Sequence, residues 1–163
     1  MLSRWINSIE NWVPSEEYFL ALMITGGTGF LGRYLVANLL HSNRDIFLLV
    51  RKESYQKAES IYKNNPKVHI ILGDILNPKV VESDRVRKKL FSEVTSIIHA
   101  ACYSNIKGNY EKCFSQNVGG TKNIIQLAKH MRKLKFFHYL SSIAVSGDFS
   151  KEWALKLIAP KGR

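Results

Sequence analysis

From residue 18 onward, short continuous apolar runs alternate with longer amphipathic stretches. Strands covered on both faces read as unbroken Val/Ile/Leu runs, and helices as apolar residues three and four apart, so the pattern predicts βαβ units around a parallel sheet. The runs predicted as strands are residues 18–24, Ile46–Val50, Val68–Leu72, Thr95–His99 and Phe136–Leu140. Helices are predicted near 30–41, near 53–63, from Asn77-Pro78 to about Phe91, and over roughly 110–132. Asn77-Pro78 suits a helix start, because Asn caps free amides and Pro has no amide proton to lose. The fold class is therefore α/β: a Rossmann-like parallel sheet of about five strands, helices on both faces, across residues 18–150. Ahead of it, Leu2, Trp5, Ile6, Ile9, Trp12 and Val13 share one face of a helix that Pro14 ends. Residues 1–14 thus read as an amphipathic helix and 151–163 as a short tail.

Charge and composition exclude more than they assign. No apolar run approaches the roughly 18 residues of a membrane span, and no apolar stretch near the N-terminus is followed by a small-residue cleavage site. Cys102 and Cys113 lack CxxC spacing, and no Cys/His cluster has metal-ligand spacing, so no metal site is expected. These features point to a cytoplasmic protein. The net charge of +11 is lopsided: residues 1–82 carry nine bases and eight acids, residues 83–163 fifteen and five. The excess falls in the amphipathic segments 84–89 and 129–135, where a solvated helix face accounts for it. With no helix-turn-helix, zinc or single-strand-binding signature beside it, nucleic acid is not an expected partner. The 2–13 helix, with two tryptophans and few basic residues, is read as docking on protein in preference to a membrane surface.

Chemistry enters at the first strand-to-helix turn. Thr25, Gly26, Gly27, Thr28, Gly29, Phe30, Leu31 and Gly32 satisfy both G-x-x-G-x-x-G and G-x-G-x-x-G. Early glycines let the chain turn sharply, Gly29 lets amides approach a pyrophosphate, and Gly32 lets the helix pack on the strand. A strand before, an amphipathic helix after and a second strand beyond supply the context that the motif needs. An NAD site usually ends strand two in an acid that holds the ribose hydroxyls. Here strand two ends in Arg51-Lys52, with Asp45 at its opposite end. Two cations at that place favour NADP(H) over NAD(H), because guanidinium matches phosphate geometry. A solvated basic turn is the alternative.

Further motifs follow in order, and with them residues 20–150 resemble an extended short-chain dehydrogenase/reductase, in the thioester reductase and fatty acyl-CoA reductase branch (the male sterility, NAD-binding group). Val50-Arg51 resembles that group's strand-two ending, and Gly73-Asp74-Ile75-Leu76-Asn77-Pro78 its G-D-x-x-x-P segment. His99-Ala100-Ala101 resembles its H-x-A turn, Asn117-Val118-Gly119-Gly120-Thr121 its N-V-x-G-T motif, and Leu140 to Gly147 its S-[ST]-x-x-V-x-G motif. The resemblance implies that Asp74 and Ile75 lie at the adenine, that His99, Ala100 and Ala101 border the cofactor, that Asn117 props the active-site strand, and that Ser142, beside Ser141, is the catalytic serine. Each residue also has an ordinary structural reading: a turn cap, a satisfied histidine, strand-end polar groups. Their joint order is what carries the resemblance.

The resemblance also implies a Tyr-x-x-x-Lys pair beyond the serine, whose tyrosine passes the proton as hydride moves. None of the residues after Ser142 is tyrosine. Tyr103 and Lys107 match the spacing, but they precede the serine in a stretch that reads as loop, so the match is taken as incidental. The expectation is a C-terminally shortened family fold: the NADP(H)-binding part of an acyl thioester reductase, inactive alone. Strand five would then form an open sheet edge, a place for a protein partner. Acyl-CoA or a carrier-bound acyl thioester would be the substrate of a complete enzyme. The alternatives are a non-catalytic NADP(H) sensor, and part of a sugar-nucleotide epimerase/dehydratase or a steroid dehydrogenase-like enzyme.

Overall fold

A computed structural model describes residues 21–104 and 109–142. The expected N-terminal helix, residues 18–20 of the first strand, Lys107, Ile143 to Gly147 of the serine motif and the tail lie outside them. The strands β1 (Ala21–Thr25), β2 (Asp45–Val50), β3 (Val68–Leu72), β4 (Ser96–His99) and β5 (Phe136–Tyr139) form one parallel sheet in the order β3-β2-β1-β4-β5. The helices are α1 (Phe30–Leu39), α2 (Tyr55–Tyr62), α3 (Asp84–Glu93), α4 (Tyr110–Cys113) and α5 (Gly120–Ala128).

Alternate side chains of a strand point to opposite faces. Met23, Phe47 and Ile97 pack with Leu90 of α3 and Ile124 of α5 on one face. Leu22, Ile24, Ile46 and Leu48 pack with Val36 of α1 and Ala58 of α2 on the other. Burying each such side chain contributes about 1.5–3 kcal/mol, and covering both faces is why the strands read as unbroken apolar runs. Helices on both faces were expected, and they are present.

Two helices differ from expectation. The helix predicted from Asn77 begins instead at Asp84, capped by Ser83, whose hydroxyl accepts from the Val86 amide. Residues 74–81 form consecutive turns: the Asp74 carboxylate accepts from the Leu76 amide at 2.9 Å and the Asn77 side chain from the Lys79 amide at 2.9 Å. Such side chains capture the amide two residues on, so Asn-Pro serves a turn here as readily as a helix start. Val80 adopts φ +60°, and the Asp74 amide donates to its carbonyl at 2.8 Å, burying Val80 and Val81 beneath the loop. The helix predicted over 110–132 is continuous only in outline. Between α4 and α5 the chain winds as a π-helix over Phe114–Gly119, the Gly120 amide reaching back to the Ser115 carbonyl, and α5 ends at Ala128. Single π turns inside helices recur at functional sites, and this one contains Asn117.

Candidate functional site

Parallel pairing sets a row of residues across the C-terminal end of the sheet: Leu49 faces Thr25, Thr25 faces His99, and His99 faces Tyr139. The strand order reverses between β1 and β4, and in open parallel sheets loops diverge at such a point and leave a crevice. A cavity of about 890 Å³ opens there. Of the catalytic and cofactor-binding residues predicted from the sequence, all but Gly27, Lys52 and His99 line it.

The glycine turn forms its floor. Gly26 adopts φ +74°, and a Cβ there would lie 2.6 Å from the Ala101 amide nitrogen and 2.7 Å from the Ala100 carbonyl. The turn therefore lies directly against the 100–101 backbone, which only glycine permits. A Cβ on Gly32 would lie 2.1 Å from the Gly26 carbonyl oxygen, so the first turn of α1 packs on the turn that precedes it. Gly29, exposed, caps α1 without a side chain, and the first turn holds no acid. Unpaired amides and the helix dipole then present a positive end to the cavity. From beneath, the buried Tyr62 hydroxyl donates to the Gly27 carbonyl at 2.8 Å, and burial pushes that phenol up, with Arg33 acting in opposition. Gly27 is thus part of the support and not of the wall.

At the β2 end, Arg51 lines the cavity, and Lys52, pointed to beside it, does not. The sequence alone missed Ser54. The turn that bonds the Ser54 amide to the Arg51 carbonyl at 2.9 Å sets Ser54 on the same wall. A serine at the start of a helix three residues past the arginine was the available signal. On the next wall, the turns described above hold Asp74 and Ile75. Asn123 donates to the Ile75 carbonyl at 2.8 Å, and Gly120 lies where a Cβ would meet the Ile75 side chain at 2.6 Å. Asp74 does cap a turn, as its ordinary reading has it, and it also lines the cavity.

Asn117 closes the third wall. Its side chain grips the backbone of Tyr103 from both sides, accepting from the Tyr103 amide at 2.7 Å and donating to the Tyr103 carbonyl at 3.0 Å. His99 sits behind this wall, fully buried, with Nδ1 2.6 Å from the Thr25 hydroxyl and Nε2 3.0 Å from the Thr121 hydroxyl. Burial pushes its imidazole down to about 4. Ser141 and Ser142, both exposed, follow β5 onto the rim with Tyr139. The glycine turn, Arg51, the Asp74 loop, the 100–103 segment and the serines thus surround one space, brought together from five separate strand ends.

A family model described as male sterility protein, NAD-binding, matches residues 24–162. The chain belongs to this family. The terminal R domain from the myxalamid PKS-NRPS biosynthetic pathway is similar to it at 30% identity and a TM-score of 0.68, over 78% of this chain and 36% of that one. An NRPS-like oxidoreductase of Fusarium equiseti is 27% identical over 82% of this chain and 14% of its own length. The fatty acyl-CoA reductase wat of Drosophila melanogaster is 27% identical over 84% of this chain and 31% of its own length. This member of the male sterility family therefore spans less than a third of either curated relative.

Proposed function

We propose that this chain is the NADP(H)-binding part of a reductase that converts an acyl thioester, CoA-bound or carrier-bound, into an aldehyde. The observation that carries the reading is the one cavity that gathers the glycine turn, Arg51, Asp74 and Ser142 at the strand ends. The residues present fit a dinucleotide: Gly26 and Gly32 make a close-packed turn that a Cβ would disrupt, beside a helix end with no acid. The amides following Gly29 would hold the pyrophosphate, Arg51 with Ser54 a 2′-phosphate, and Asp74-Ile75 the adenine side. When bound, the dinucleotide supplies the hydride. Ser142 donates its hydroxyl proton toward the oxygen on which negative charge develops, the role of an oxyanion-stabilising group. Asn117 holds the 103 backbone, which lines the same cavity. The similarity to a fatty acyl-CoA reductase and to an R domain supports this substrate class.

Replacing Arg51 with alanine is expected to weaken NADPH binding roughly 10- to 100-fold and to leave NADH binding nearly unchanged. That is the range for losing a hydrogen bond to a charged group. Lys52→Ala, off the cavity wall, should change neither. Fluorescence titration with both nucleotides decides it, and equal losses for NADPH and NADH would remove the 2′-phosphate assignment.

No Tyr-x-x-x-Lys pair follows Ser142 within these 163 residues, so the chain alone should bind NADPH without turning over. Incubation with NADPH and a long-chain acyl-CoA is expected to give no oxidation above the no-enzyme rate. Oxidation that Ser142→Ala abolishes would overturn this. Tight binding with no turnover also suits the second reading, a non-catalytic NADP(H) sensor. Sequencing the transcript past codon 163 in three frames for a Tyr-x-x-x-Lys separates the two. Among the described residues the outer edge of β5 has no neighbouring strand. Under either reading, this edge is the place proposed for a further strand or a protein partner.

A further inference from the structure

The polar groups behind the cavity wall can be arranged in only one direction. A carbonyl oxygen accepts and cannot donate, so the Thr121 hydroxyl, 2.5 Å from the Asn117 carbonyl, gives its proton there. Thr121 Oγ1 then faces His99 Nε2 as an acceptor, which places a proton on Nε2. At the other end the Ala101 amide donates to Thr25 Oγ1 at 3.2 Å. The Thr25 hydroxyl proton goes to His99 Nδ1 at 2.6 Å, which is consistent with the bare nitrogen of that same tautomer. Every donor in the series has one acceptor: Ala101 amide, Thr25, His99, Thr121, Asn117 carbonyl. The side chain of the last residue grips Tyr103. Both ends of the series thus bear on the 101–103 loop of the cavity wall.

We propose that His99 is a positioning residue: as the neutral Nε2–H tautomer it sets the direction of this hydrogen-bond chain, and the chain holds the 101–103 loop against the glycine turn for dinucleotide binding. The last part rests on the NADP(H) reading above, whereas the tautomer and the loop order do not. Burial, which pushes the imidazole down to about 4, leaves the neutral ring that the chain requires. The ring of Tyr139 stacks on it at 5.7 Å and that of Phe137 lies at 6.5 Å, filling the remaining side without competing for either nitrogen.

The test uses the full chain labelled with ¹⁵N-histidine at neutral pH. Long-range proton–nitrogen spectra should show His99 with its proton on Nε2 and a bare Nδ1. Amide exchange should show Ala101 and Tyr103 protected. Thr121→Val removes the acceptor at nearly constant shape. It should release the tautomer, speed exchange at both amides, and weaken NADPH at least tenfold in a protein whose circular dichroism is unchanged. Asn at position 99 reaches only the Nδ1 place and Gln only the Nε2 place, so His99→Asn and His99→Gln should each weaken NADPH similarly. A His99 proton on Nδ1 in the unaltered protein overturns the proposal, and this reading needs no variant to fold. Wild-type NADPH affinity in folded Thr121→Val overturns it as well. Failure of the unaltered chain to bind any dinucleotide sinks the functional reading instead, and leaves the tautomer and exchange results to decide the chain.

Discussion

Gly26→Ala is expected to cost the fold roughly 3–5 kcal/mol and to abolish dinucleotide binding, whereas Gly29→Ala is expected to keep the fold and weaken the binding. At Gly26 two penalties coincide. A left-handed conformation costs an alanine about 1–2 kcal/mol, and Gly26 sits at φ +74°. The new Cβ would also meet the Ala100–Ala101 backbone at 2.6–2.7 Å. That backbone cannot step aside freely, because the Ala100 amide donates to the Thr25 carbonyl and the Ala101 amide to the Thr25 hydroxyl, each at 3.2 Å. Overlap of this kind places a substitution in the severe tail of mutational effects. Against a typical total stability of about 5–15 kcal/mol, the loss is large. At Gly29 the backbone is ordinary, with φ −77°, and a Cβ would meet only the Gly26 carbonyl oxygen, at 3.1 Å. The methyl would stand on the exposed side of the turn, over the amides that a pyrophosphate needs, so NADPH affinity should fall at least about tenfold, or about 1.4 kcal/mol. Thermal melts and NADPH titrations of the two variants decide the matter. A Gly26→Ala protein that melts within a few degrees of the unaltered chain would show that the turn is looser than its contacts imply.

The contrast between these two glycines also shows how much of the fold was legible in the sequence. The motif identified the turn and its packing roles, and the strand runs located all five strands to within a few residues. Hydrophobic periodicity reports which face of an element is buried, and here both faces of the sheet are covered. It does not report how a helix winds within that face. The π-helical stretch over Phe114–Gly119 therefore read as ordinary helix. Nor does it distinguish a helix cap from a turn when the same residue types serve both, as at Asn77-Pro78, where two side chains captured nearby amides and the helix waited for Ser83. Arg51 and Lys52 were equivalent as charges on paper, and only the fold set Arg51 on the wall and Lys52 off it. His99 was placed beside the cofactor by resemblance. The register that pairs it with Thr25, 74 residues away, sets it against hydroxyls of β1 and α5. A polar residue at a strand end carries no mark of which partner it will meet across the sheet, and Thr121 could not have been recognised as that partner without the sheet.

The same buried histidine is expected to make the protein sensitive to acid. The His99 imidazole is pushed down to about 4 in the folded chain, against 6.5 for its ordinary value. Between these two values the unfolded chain takes up a proton that the folded chain refuses, so stability must rise with pH across that window. The contribution is complete above about pH 6.5, falls as the pH drops, and is gone below about pH 4. At about 1.36 kcal/mol per pH unit, the loss is on the order of 3 kcal/mol. Carboxylates also titrate in the lower part of the window, so the measurement is a difference: urea unfolding of the unaltered chain and of His99→Asn, each at pH 7 and pH 4.5. The histidine protein should lose about 2–3 kcal/mol more than the variant, which carries no titrating group at that place. Parallel profiles would assign the acid sensitivity to other groups. The direction of the hydrogen bonds gives the loss its functional side. A proton added to Nδ1 turns an acceptor into a donor facing Thr25, which already accepts from the Ala101 amide and then has no place for its own proton in this chain. Dinucleotide affinity should therefore fall across the same window as stability, and in His99→Asn the two should lose their common pH dependence together.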